Sequence, residues 1–138
     1  MPSPQSTIRL RVRYSETDQM GTFYNSRVLE WFECGRTELL RTLGIPYAWM
    51  ESQGVFLPLV EAHVHYQGRA RYDDELEVVT AASMEGKACV RFDVRIAQAG
   101  GDGVAAGRTI HAVTNGSGRP VRPPDWLARA LGGQGGGQ

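Results

Sequence analysis

The chain has no excess of charge: fifteen basic side chains are matched by fifteen acidic ones over 138 residues. Without a net field there is nothing to hold a polyanion such as DNA or an acidic membrane across a broad surface, so no nucleic-acid partner is expected. Lysine is almost missing, with Lys87 the only one, a bias that genomic base composition explains as well as function does. Cysteine is scarce too. Cys34 and Cys89 have no metal-ligand spacing and are too few for a disulfide framework in a chain this long, so they read as reduced thiols packed as small apolar groups. No apolar run approaches the roughly 20 residues that span a bilayer. Met1 to Thr7 lacks the charged-then-apolar pattern of a secretion signal. A cytoplasmic protein with no membrane span is expected.

What is present is globular. Hydrophobic residues make up 41% and charged residues 22%, enough apolar surface for one core, which at this length means one domain, residues 1–131, and one site. The Gly/Gln-rich tail, residues 132–138, is expected to be disordered. Ile8 to Tyr14 alternates apolar and charged positions as a half-buried strand does. Ser15 to Asn25 is rich in Ser, Thr, Asp, Gly and Asn and lacks any period, which predicts a loop. From Ser26 to about Leu43 the residues Val28, Phe32, Gly35 and Leu39 mark a helical face, widened by Leu29, Trp31, Leu40 and Leu43. Asn25 or Ser26 can cap this helix, and Gly44 followed by Ile45-Pro46 ends it.

Tyr47 to Gly54 allows one further turn of helix. Four strands are then predicted, Val55 to Tyr66, Glu75 to Ala82, Ala88 to Ala97 and Val104 to Thr114, separated by turns at Gly68, Asp73-Asp74, Glu85-Gly86 and Gly100-Gly101. A short last helix can start at Asp125. One long helix followed by an antiparallel run is an α+β pattern.

The stretch Arg13-Tyr14-Ser15-Glu16-Thr17-Asp18-Gln19-Met20-Gly21-Thr22-Phe23-Tyr24-Asn25, followed by Leu29-Glu30-Trp31-Phe32-Glu33 and Gly35-Arg36, resembles the signature of the 4-hydroxybenzoyl-CoA thioesterase family, nearest to its Tol-Pal-associated acyl-CoA thioesterase branch. The resemblance continues through Gly44-Ile45, Leu57-Pro58, Glu61, Tyr66 and Arg71-Tyr72-Asp73-Asp74, over roughly residues 8 to 114. It implies a hot-dog fold, an antiparallel sheet of about five strands wrapped around one long helix. It also implies a homodimer or homotetramer that binds acyl-CoA between subunits, coenzyme A being part of the substrate and no cofactor being required. The family's catalytic Asp falls on Asp18. Asn25 stands where many relatives have His, and Val28 where many have an aromatic residue, departures that bear on acyl specificity.

Thioester hydrolysis needs a base or nucleophile and a place for an oxyanion. The thiolate leaving group, with a pKa near roughly 8.5, departs without obligatory protonation. A carboxylate at Asp18 can activate water or attack the carbonyl itself. Free backbone N–H groups at the helix start, around Tyr24, Asn25, Ser26 and Val28, can face the oxyanion, and Gly21 lets the loop approach them without a side chain in the way. The plain alternative for Asp18 is an Asx-turn, and for Asn25 a helix cap. Lys87 and Arg91 can meet the phosphates of coenzyme A, as basic residues of this region do in relatives, or lie solvated. Glu33 and Arg36 are expected to pair on the helix surface. His63 and His65 share a strand face, and neither they nor His111 has a third ligand at metal spacing. Two other functions compete: an acyl-CoA or lipid binder without turnover, and a hot-dog dehydratase, which would want a His general base that the Asp18 loop lacks.

Overall fold

The computed structural model describes residues 3–23 and 25–132. Of the Gly/Gln tail, only Gly132 lies within that range. Five strands, β1 (Gln5–Arg11), β2 (Leu59–Tyr66), β3 (Glu75–Glu85), β4 (Cys89–Gln98) and β5 (Gly103–Ala112), form one antiparallel sheet in the order β1-β3-β4-β5-β2. Among the described residues there are three α-helices, α1 (Arg27–Thr42), α2 (Tyr47–Ser52) and α3 (Asp125–Ala130).

Alternation on β3 buries Leu76, Val78, Thr80 and Ala82 toward α1 and leaves their neighbours half-buried. The helix lies across β1 and β3 and divides its apolar face between two clusters. Val28, Trp31 and Phe32 join Val12, Phe23, Leu76, Val78 and Ile96 at one end of the sheet. Leu39 and Leu40 join Met50, Ala82, Val90, Phe92 and Leu127 at the other. Each fully buried Phe or Leu contributes roughly 1.5–3 kcal/mol, so both ends of α1 are held by its own side chains. Gly35 sits at the crossing, where a methyl group would overlap Thr80 Oγ1 and press on Val78.

Several strand limits differ from the expected ones: β1 starts at Gln5, β3 runs on to Glu85 and β5 stops at Ala112, and two further differences have a local reason. β1 stops at Arg11 because Tyr14–Glu16 coils into one turn of 3-10 helix. β2 begins at Leu59 because Pro58 has no N–H to offer the ladder and the pairing with β5 shifts between Leu59 and Glu61. The outer side of β2 has no strand partner among the described residues, and it leaves Leu59, Val60 and Tyr66 exposed at 50%, 60% and 44%.

Candidate functional site

The connection from β1 to α1 is polar yet tightly tied. Thr17 bridges Phe23, the Asp18 N–H donates to the Thr22 carbonyl at 2.7 Å, and the Gly21 N–H donates to the Asp18 carbonyl at 3.1 Å. Gly21 has φ +82, a conformation that favours glycine, and it closes the tip of this loop. Oδ1 of Asp18 accepts from the N–H groups of Met20 at 2.8 Å and Thr22 at 3.3 Å, which is the expected Asx-turn. Oδ2 accepts no hydrogen bond from the described residues. The two readings of Asp18 are therefore compatible: one oxygen fixes the loop and the other is free. The carboxylate lines an open cavity of about 520 Å³ with Tyr14, Thr17, Gln19, Gly21, Arg71 and Tyr72.

The loop is bolted to α1 by Glu16, to which the sequence reading gave no role. Its side chain is buried at 2% exposure and accepts three hydrogen bonds: from the Arg13 N–H at 2.7 Å, the Arg13 guanidinium at 3.2 Å and the Trp31 indole N–H at 3.0 Å. Burial alone would raise its pKa, but these donors outweigh it and hold the carboxyl below its ordinary value. Arg13-x-x-Glu16 has the Glu of a capping box but not the Ser or Thr that opens one, so the sequence carried no clear signal of this role. Arg27, the first residue of α1, adds a second tie through a 3.3 Å hydrogen bond to the Ser15 carbonyl. Phe23 packs on Trp31 and on Tyr66, with ring centroids at 5.2 Å and 6.3 Å.

Among the described residues no side chain makes the expected helix cap. Ser26 has helical φ and ψ of −65 and −21, already inside the helix geometry, and makes no side-chain cap. Asn25 contributes its carbonyl, which accepts from the Tyr66 hydroxyl at 2.8 Å and the Val28 N–H at 3.3 Å. The positive end of α1 is thus not quenched by a capping side chain. Gly21, Asn25 and Ser26 lie in the same connection as Asp18, and Tyr24 lies outside the described residues.

Lys87 and Arg91 are elsewhere. The β3 strand, eleven residues long, spans roughly 33 Å. Its first residue pairs with Arg11 beside the Asp18 loop, and its last pairs with Cys89 across the hairpin that carries Lys87. Within one chain, therefore, neither residue reaches Asp18. Arg91 is bound to Asp93 at 2.9 Å and faces Glu85 at 3.8 Å.

Glu33 and Arg36 do not pair on the helix surface. Arg36 turns inward, its guanidinium carbon 6.0 Å from the centre of the Phe92 ring, and both line a cavity of about 660 Å³ with His111. His111 is buried with both ring nitrogens engaged, Nδ1 with the Leu57 carbonyl at 3.0 Å and Nε2 with Thr109 Oγ1 at 2.9 Å, and burial lowers its pKa. His63 and His65 are exposed on one face of β2. Tyr72-Asp73-Asp74 is the expected strand-entry turn, with Asp73 at φ +70.

The sequence profile of the thioesterase-like superfamily matches residues 12–131. The chain is 42% identical to YneP of Bacillus subtilis over 71 residues, 51% of each, so it spans about half the length of that relative. It is 35% identical to the acyl-CoA thioesterase YbgC of Haemophilus influenzae over 88 residues, 63% of this chain and 65% of that protein. The crystal structure of TT1821 from Thermus thermophilus superposes with a TM-score of 0.86 at 35% identity, covering 92% of this chain and 97% of the other.

Proposed function

This chain belongs to the thioesterase-like superfamily and has its hot-dog fold, and from that premise we propose that it hydrolyses an acyl-coenzyme A to the free acid and coenzyme A. The observation that carries the reading is Asp18, a cavity-lining residue with one carboxylate oxygen anchored in its own turn and the other without a hydrogen bond among the described residues. In the general-base route Oδ2 takes a proton from water, the hydroxide adds to the carbonyl carbon, and the carbon–sulfur bond breaks to release the thiolate. In the nucleophilic route Oδ2 itself adds, the thiolate leaves, and water cleaves the resulting anhydride. Both need donors for the carbonyl oxygen, a role assigned to the uncapped start of α1 around Tyr24, Asn25 and Ser26, with Gly21 keeping the approach clear. Neither route calls for a cofactor.

The finer assignment is to the Tol-Pal-associated branch of the 4-hydroxybenzoyl-CoA thioesterase family, supported by the motif from Arg13 to Asn25 and by the likeness to YbgC. A cytoplasmic homodimer, or a tetramer built from it, fits the unpaired apolar edge of β2. Light scattering that found a stable, active monomer would overturn the assembly. For the activity, thiol release should be followed over a panel of short, long, branched and aromatic acyl-CoAs. Turnover of at least one of them is expected. Tight binding across the panel without thiol release would replace hydrolysis with a binding function.

A further inference from the structure

We propose that His63 and His65 of two copies of this chain together hold a divalent transition-metal ion, such as Zn2+ or Ni2+, across a two-fold seam at the free edge of β2. The inference rests on the reading of β2 as the dimer edge and adds what that seam binds. The regular part of β2, residues 61–66, keeps one register with β5. Val64 packs on the core beneath the sheet, so Glu61, His63 and His65 stand on the opposite face, and all three are exposed.

The ladder fixes which way the backbone of β2 turns. The Gln67 N–H donates to the Val104 carbonyl at 2.9 Å, and hydrogen-bonded pairs of an antiparallel ladder recur at every second residue. His63 and His65 therefore turn their N–H and carbonyl groups to β5, while Ala62, Val64 and Tyr66 turn theirs to the free edge. β2 contains no Lys, Arg or Pro to guard that edge, whereas β1, the other edge of the sheet, carries Arg9 and Arg11. A second copy added here about a two-fold axis normal to the sheet runs antiparallel and keeps its histidines on the same face.

Because Ala62 and Val64 supply the hydrogen bonds of the seam, Glu61, His63 and His65 meet as the closer kind of cross-strand pair, with Cα atoms roughly 4.5 Å apart. An axis that centres residues 61–66 passes at His63 or at Val64. At His63 it sets His63 against His63 of the partner subunit, and His65 against Glu61 of the partner subunit. At Val64 it sets His63 against His65 of the partner subunit. Either way each imidazole stands opposite or diagonal to His63 of the partner subunit, within roughly 7–8 Å. Imidazole is the commonest ligand of such ions. One chain offers only two here, and among its described residues no group of three ligands gathers. Arg108 faces His63 from β5, and Asp93 beyond it is engaged by Arg91. Glu61, without an ion pair among the described residues, supplies the negative charge that offsets Arg108.

The test uses the full chain without a histidine tag. Isothermal titration with Zn2+ and with Ni2+ should find about one ion for two chains. His63→Ala should weaken binding by at least about a hundredfold and His65→Ala by at least about tenfold. Cys34→Ser combined with Cys89→Ser, which removes the competing thiols, should leave the affinity within about twofold. In analytical ultracentrifugation a saturating ion should lower the dimer dissociation constant at least about tenfold, and should not do so in His63→Ala. Circular dichroism checks the fold of each variant. A chain that stays monomeric with and without the ion would overturn both the dimer and the metal site. A dimer that takes up no ion, that takes one ion per chain, or that keeps its affinity when His63→Ala and His65→Ala are combined would overturn the metal site alone.

Discussion

The two ends of the sheet handle charge in opposite ways. At the hairpin end Arg91 is paired with Asp93 and Glu85, and Phe92, Leu39, Leu40 and Met50 form a buried cluster. At the loop end, among the described residues, one Asp18 carboxylate oxygen and the guanidinium groups of Arg69 and Arg71 have no partner, Tyr14 and Tyr72 are exposed, and no side chain caps the start of α1. Both ends are equally well packed under the helix. The loop end gathers such groups around one carboxylate, whereas at the hairpin end the Arg36 Nε is left buried without a partner among the described residues.

The largest effect should come from the hairpin end. Phe92→Ala should destabilise the fold by about 3–5 kcal/mol, because Phe92 is fully buried and its loss leaves a cavity. Measured below the lowered melting temperature, kcat should be unchanged. A matching fall in kcat would show that the two ends are not separable.

Next in size is Asp18→Asn. It should keep the fold and the Asx-turn while lowering kcat by about a hundredfold or more, since Asn can neither take a proton nor act as an effective nucleophile. A near-normal kcat under saturating acyl-CoA would leave Asp18 as a turn former.

Glu16→Gln should be milder. Gln cannot accept from all three of the donors that Glu16 satisfies, so a loss of about 1–3 kcal/mol in stability is expected, with a roughly fivefold to tenfold fall in kcat as the loop shifts against the helix. The pH dependence is specific. The folded pKa lies below the ordinary value of 4.5, so the contribution of Glu16 is fully present above about 4.5 and is lost as pH falls through the lower folded value. Acid unfolding should therefore be shallower in Glu16→Gln, and a curve parallel to the parent would refute the linkage.

The smallest effect belongs to Asp93→Asn. It removes an exposed ion pair at the hairpin end and should shift stability by no more than about 0.5 kcal/mol, with no change in kcat, by thermal melting and thiol release respectively. A large change would mean that the hairpin charges are part of a site.

Much of the fold was legible because it follows from short-range patterns. The period of Val28, Phe32 and Leu39 predicts α1 to within a residue or two at each end, and turns at Glu85-Gly86 and Gly100-Gly101 separate β3, β4 and β5. Asp18 could be singled out because its loop is continuous in sequence. Its surroundings could not. Arg71 and Tyr72 come from a segment more than fifty positions later, and only the pairing of β1 with β3 brings them alongside. Lys87 and Arg91 stand out in the sequence as cations, whereas their separation from Asp18 along β3 appears only in the strand register. The helix-surface pair of Glu33 and Arg36 failed for a similar reason: spacing permits it, but Arg36 finds Phe92 beneath the helix.

Gly35 sets the clearance between α1 and β3, since no side chain separates the helix backbone there from Thr80. A helix seated so low acts as a lever over a fixed point. Tilting it by adding a single methyl at that point would raise the uncapped N-terminus relative to a loop that Glu16 and Arg27 tether to the helix itself. The height of a fulcrum in the middle of the molecule thus sets the position of a helix end more than two turns away.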